Sequence, residues 1–226
     1  MFNHSPLKFE QLTSQSTENG RVYNTPIGPL SSVTTILGKY TDKTFLDDWR
    51  ERIGEDEANQ ITHQAGVRGT SVHLLAERYL NNEDNWKRDA MPFNLHSFNK
   101  IKPHLNKIET VYGTEVPLWS KFLQTAGRCD LICKYNGVNT ILDFKTSKRA
   151  KEETHIKNYF LQATAYSLMT LERFDLFCPQ IVILITVDHD EPQLFVKRIN
   201  SYATETVKLF RKHYADTRKN SRKIAI

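Results

Sequence analysis

Hydrophobic positions along the chain change their spacing several times, and each change marks an element. In "RVYNTPIGPLSSVTTIL" Pro and Gly punctuate short β-prone pieces, and the serines that follow suit the start of a short helix near Val33 to Leu37. From about Lys43 to Asn81 the spacing is helical. Phe45, Leu46 and Trp49 make one apolar face, Gly54 interrupts, and "EDEANQ" supplies the acidic residues that favour a helix N-terminus. Gly66 and Gly69 sit inside this second stretch at about 1 kcal/mol each relative to alanine. Close backbone approach to a neighbour or a ligand would offset that cost.

"NNEDNWKRDAMPFN" reads as a loop, and "LHSFNKIKPHLNKI" resumes helical spacing despite Pro103. Three β-prone stretches follow, "TEVPLWS", "GRCDLICKY" and "TILDFKT", the last two joined by the Asn-Gly turn chemistry of "NGVN". Next come a helix from about Lys151 to Leu171, the strand "QIVILITV", an antiparallel return "QLFVKRI" and a final helix from about Tyr202. The apolar run lacks alternation, as expected of a strand covered on both faces. This order predicts an α/β fold with a central mixed β-sheet flanked by helices and an N-terminal helical elaboration.

Composition narrows the class. The chain has 226 residues, 39% hydrophobic and 25% charged, which suits one globular domain. No run reaches the roughly 18 apolar residues of a membrane span, and the N-terminus lacks the features of a signal or transit peptide. Cys129 and Cys133 would share one strand face, but three cysteines form neither a disulfide framework nor a convincing zinc or cluster site. A reducing, cytoplasmic setting is expected. The net charge of +5 is concentrated: residues 208–223 hold seven Lys/Arg against one Asp, and residues 121–151 hold seven against Asp130 and Asp143. Two basic zones in a nearly neutral body point to a polyanionic partner such as nucleic acid.

The chemistry concentrates in "AGRCDLICKYNGVNTILDFKTSK". Carboxylates are poor strand formers and costly to bury, yet Asp130 and Asp143 lie in neighbouring predicted strands about 4.8 Å apart. If their faces agree they would share a cation, and oxygen ligands suit Mg2+ or Mn2+. Lys145, two residues after Asp143, shares its face and reaches water or a phosphate oxygen. That set suits metal-assisted phosphodiester hydrolysis. His73 and Glu77 stand at i, i+4 on one helix, and Gln162 and Tyr166 on another.

Taken in this order, "RGTSVHLLAE", Glu115 in "TEVPLW", "GRCD", "LDFKTSK" and "QATAY" resemble the PD-(D/E)XK nuclease superfamily in its RecB/Cas4-like branch. The layout is similar to that of the mitochondrial genome-maintenance exonucleases and their phage relatives, including "SVTTIL", "FLDDW" and "VILITV". The resemblance implies a single nuclease domain over 1–226, with an N-terminal hairpin and helical elaboration over 1–81, a restriction-endonuclease-like catalytic core over 108–215 and a basic tail over 216–226. It implies that Asp130, Asp143 and the Phe144 carbonyl hold the metal, with His73 completing the site. Lys145 would activate water, and Glu115 would bind a second metal or orient its water. Gln162 and Tyr166 would steady the active-site strand and contact DNA, joined by Arg128, Lys148 and Thr70. The four-cysteine iron–sulfur cluster of Cas4-type members is excluded, because this chain has three cysteines.

The expectation is a monomeric, Mg2+- or Mn2+-dependent DNA exonuclease of a bacterium or phage, acting on single strands or flaps in replication, repair or recombination. Tyr159 and Phe160 would offer stacking surfaces to unpaired bases. A structure-specific endonuclease on the same fold, or a non-catalytic nucleic-acid-binding protein, remain the alternatives.

Overall fold

The computed structural model describes residues 1–42 and 44–224. Lys43, Ala225 and Ile226, which the sequence reading places in a helix and in the basic tail, lie outside the described residues. The side chains of Phe45 and of residues 220–224, Arg222 and Lys223 among them, do so too.

The chain begins with β1 (Asn3–His4) and a small antiparallel sheet of β2 (Ser14–Thr17), β3 (Gly20–Thr25) and β4 (Gly28–Ser31). Ser32 then caps α1 (Val33–Lys39), its hydroxyl accepting from Thr35 N at 3.0 Å. Next are α2 (Thr44–Ile53) and α3 (Glu55–Leu80), separated by Gly54 at φ +89°, a conformation that glycine adopts freely. In α4 (Pro92–Leu105), Pro92 occupies the first turn, where an amide would be unpaired anyway, and Pro103 falls in the last, with the helix ending two residues later.

The main sheet has six strands in the order β1, β5 (Ile108–Ser120), β6 (Thr125–Tyr135), β7 (Val138–Ser147), β8 (Gln180–Val187) and β9 (Gln193–Arg198). β5, β6 and β7 form an antiparallel meander. Asn136 and Gly137, at φ +48° and +77°, make the tight turn expected of Asn-Gly. A crossover through α5 (Lys157–Phe174) brings β8 parallel to β7, and β9 returns antiparallel. The chain ends in α6 (Ala203–Ile224), so residues 216–224 continue a helix.

Helices cover both faces of this central mixed sheet, as the order of elements predicts. α1, α5 and Phe210 of α6 pack on one face with Ile141, Ile181, Ile183 and Ile185. α3 and α4 pack on the other with Leu131, Leu142, Phe144, Val182 and Leu184. Every residue of β8 is buried, which explains its unbroken apolar run.

Two expectations need correction. Cys129 and Cys133 lie on opposite faces of β6, one in each core layer. Strand alternation breaks between them, since Cys129 and Leu131 already face opposite layers. Phe160 is 1% exposed and stacked on Tyr202, so it offers no surface to a base. The strands β1 and β2 carry no apolar alternation and are not anticipated by it.

Candidate active site

Three acidic residues, Glu115, Asp130 and Asp143, lie on three adjacent strands. Thr114 pairs with Leu131 and Val116 with Cys129, which sets Glu115 opposite Asp130. Leu131 and Leu142 form the last regular pair of β6 with β7, and Asp130 and Asp143 are the next residues beyond it. Glu115 has φ +48°, an unusual conformation for a residue with a β-carbon inside a strand. Burial and the nearby Asp130 charge push its carboxyl up to about 7.

Asp130 Oδ2 accepts from Phe144 N at 2.9 Å, tying β6 to β7 just where their regular pairing stops. From the opposite face α3 delivers His73. Its Nε2 lies 2.8 Å from the Phe144 carbonyl, and its Nδ1 lies 3.5 Å from Asp130 Oδ2. A carbonyl only accepts, so Nε2 carries the proton of the neutral ring. Nδ1 then presents a lone pair to a carboxylate oxygen. Two acceptors facing each other call for a proton or a cation between them. Ligand atoms of His73, Glu115 and Asp130 all lie within 4.8 Å of one another, and one nitrogen with two carboxylates fits a hard divalent ion.

Asp143 lies outside that trio, 1% exposed on the α5 side. It pairs with Lys145 and accepts from Gln162 Nε2 at 3.0 Å. Burial pushes its carboxyl up to about 6, against the pull of the Lys145 ammonium. Burial works against the charge of Lys145 too, but Asp143 and Asp130 outweigh it and hold the ammonium above its ordinary value. Gln162 thus fixes the carboxylate that fixes the lysine. One turn along α5, Tyr166 is buried over β6, where a β-carbon at Gly127 would lie 2.8 Å from its hydroxyl. The glycine of "GRCD" and the tyrosine of "QATAY" are therefore one packing contact.

A cleft opens above the trio in two adjoining parts of about 460 and 510 Å3, which share Arg21, His73, Glu115 and Arg128. α3 forms one wall with Gly69, Thr70 and Leu74, and the small sheet forms the other with Ser14, Ser16 and Tyr23. Arg128 and Thr70 are exposed in this cleft; Gln162, Tyr166 and Lys145 line its floor. Lys148 is exposed on the loop after β7, outside both parts. Gly66 faces open space and Gly69 has its nearest neighbour, Thr146 Oγ1, at 3.8 Å, so no packing contact requires either glycine. Ser14, Ser16 and Arg21 escape sequence reading because β2 and β3 look like ordinary polar hairpin.

The orientation of α3 is fixed at the sheet end. Arg68 donates to Asp188 Oδ2 at 2.6 Å, with both side chains largely buried. Lys100 of α4 donates to the carbonyls of Val187, Asp188 and Asp190, each at 2.9 Å.

No family model matches this chain. It is similar to mitochondrial genome maintenance exonuclease 1 of Mus musculus, 27% identical over 147 residues, 61% of this chain and 43% of that protein. The Homo sapiens protein of the same name is 26% identical over 148 residues, 61% and 42% of the two chains. Both relatives are named as exonucleases. The chain spans less than half the length of the curated relatives it matches. A solved structure from Eubacterium rectale, described as a candidate exonuclease, aligns over 67% of this chain and 65% of that one, with 13% identity and a TM-score of 0.47. Among the described residues no helix is long and apolar enough to cross a membrane.

Proposed function

We propose that this protein is a metal-dependent DNA exonuclease of the PD-(D/E)XK type, in its RecB/Cas4-like branch, acting on single strands or flaps. One observation carries the reading: His73 Nδ1 and Asp130 Oδ2 face each other at 3.5 Å, with Glu115 alongside and the buried Asp143–Lys145 pair on the next strand. Similarity to proteins named as exonucleases supports it.

His73, Asp130 and Glu115 would hold Mg2+ or Mn2+, with Asp143 beside them on the next strand, while the Phe144 carbonyl, engaged at 2.8 Å by His73 Nε2, would hold the ring in place. When bound, the ion supplies positive charge that polarises the scissile phosphate and favours ionisation of water. The other roles belong to the chain itself. His73 Nε2–H, anchored on the Phe144 carbonyl, fixes the ring so that Nδ1 is free to ligate. Lys145, held charged by Asp143, orients the attacking water and offsets charge on the phosphate. Gln162 keeps Asp143 in place, and Arg128 and Thr70 contact the DNA backbone.

The test incubates the protein with end-labelled linear and closed circular single strands, with and without Mg2+. Mononucleotides or short fragments from linear strands only, and only with metal, are expected. Degradation of circles would replace the exonuclease with a structure-specific endonuclease. Absence of cleavage with both Mg2+ and Mn2+ would leave a nucleic-acid-binding protein.

A further inference from the structure

The wall built by the small sheet holds out a cation over the cleft. Arg21 is exposed and borders both parts of the cleft. Among the described residues its guanidinium makes no hydrogen bond or ion pair; its only bonds are through the backbone. Arg128, by contrast, already acts on Glu77 and Glu115.

The backbone that carries Arg21 is firmly seated. Its amide donates to Thr35 Oγ1 at 3.0 Å, and its carbonyl accepts from Ser32 N at 2.8 Å. Gly20 lies so close to α1 that a β-carbon there would stand 2.4 Å from Thr35 Cγ2. Tyr23, on the same face of β3 as Arg21, is buried in a cluster with Ala126 of β6. Tyr23 thus anchors the small sheet, and Arg21 extends beyond that anchor over the cleft. Ser16 pairs with Arg21 and Ser14 with Tyr23, so both hydroxyls stand on the same side of the sheet, and both line the cleft.

The floor beneath is acidic, with Glu115 and Asp130, and repels a polyanion unless cations on the walls hold it. A guanidinium suits this task, since its planar fork of donors matches two phosphate oxygens at once. We propose that Arg21, with the Ser14 and Ser16 hydroxyls beside it, forms a phosphate-binding clamp for the DNA strand lying in the cleft. This rests on the nuclease reading and adds the N-terminal sheet to the substrate site.

The probe is a fluorescein-labelled single-stranded oligonucleotide, titrated by anisotropy into Asp130→Asn protein at several salt concentrations. Arg21→Gln in that background weakens binding about tenfold or more and makes the salt slope shallower by about 0.7, one phosphate contact on a single strand. Arg21→Lys keeps the slope and loses part of the affinity. Ser16→Asp sets a carboxylate beside Arg21 and weakens binding at least as much, without touching the arginine. In the cleaving protein, Arg21→Gln raises KM and leaves kcat within about twofold. Unchanged affinity and slope in both Arg21→Gln and Ser16→Asp overturn the clamp. If the unsubstituted protein cleaves nothing while the Arg21-dependent slope persists, the nuclease reading falls and the clamp stands.

Discussion

Tyr166 lies so close above Gly127 that any β-carbon at that position would overlap its ring and hydroxyl, at 2.8 Å. Two residues 39 positions apart in the sequence thereby fix how far α5 stands from β6, and Gln162, one turn back, reaches Asp143 only at that spacing. Gly127→Ala should lower stability by about 1–3 kcal/mol through overpacking and cut the cleavage rate. Tyr166→Leu in the same chain should recover part of the stability, because neighbouring substitutions are not additive. Thermal melts of the single and double variants check this; additive losses would contradict the contact.

Lys145→Met removes the cation from a buried carboxylate. Breaking such a pair typically costs about 3–5 kcal/mol, so the variant should melt well below the parent at neutral pH. Asp143 already has a folded-state value raised to about 6 from an ordinary 3.8. A raised acid favours folding in the protonated form, so its burial cost is full above the folded value and is relieved as pH falls toward the unfolded one. Without Lys145 the folded value climbs further, and the deficit should shrink on acidification from pH 8 to pH 5. Cleavage should fall about 100-fold or more, the usual contribution of a group acting on the attacking water.

Glu115→Gln should stabilise the metal-free protein at pH 8, by on the order of 1 kcal/mol. The charged form of Glu115 is disfavoured by burial and by Asp130, which raise its value to about 7. The gain should vanish as pH falls below the ordinary carboxylate range, where both states are protonated. In the same melts, added Mn2+ should raise the midpoint of the parent and raise that of Glu115→Gln much less. A variant less stable than the parent at pH 8 in chelator would contradict the electrostatics of the trio.

His73 makes its bonds at the edge of the cleft, with its side chain 27% exposed. His73→Ala should therefore raise the Mg2+ or Mn2+ concentration for half-maximal rate by tenfold or more, while the midpoint of unfolding moves little. A large drop in midpoint at unchanged metal dependence would make it a packing residue instead.

Much of this arrangement is legible in the chain before any coordinates. "NGVN", the unbroken "QIVILITV" and the spacing of Asp143 and Lys145 each carry a local physical signal, and the turn, the doubly covered strand and the shared face follow. Gln162 and Tyr166 are legible as one helix face, although only the packing shows that one holds Asp143 and the other sits on Gly127. The break in alternation at Asp130 is not legible, because only the assembled sheet shows Cys129 and Leu131 facing opposite layers. Arg21 is hidden for a related reason: its importance comes from the seating of a polar hairpin on α1 and β6, which leaves no periodic trace.

α3 is a single 26-residue helix with two mechanically different halves. Val72, Leu75, Ala76 and Leu80 hold its second half against the sheet, whereas the first half buries Ala58 alone. Arg68, clasped to Asp188, stands at the junction, five residues before His73. Beyond that junction the first half packs on α2, where Arg50 reaches Asn59 at 3.0 Å and Glu55 at 3.7 Å. His73 therefore rides on the half that is packed into the core, so its imidazole is held in place by the sheet and not by the exposed half of the helix.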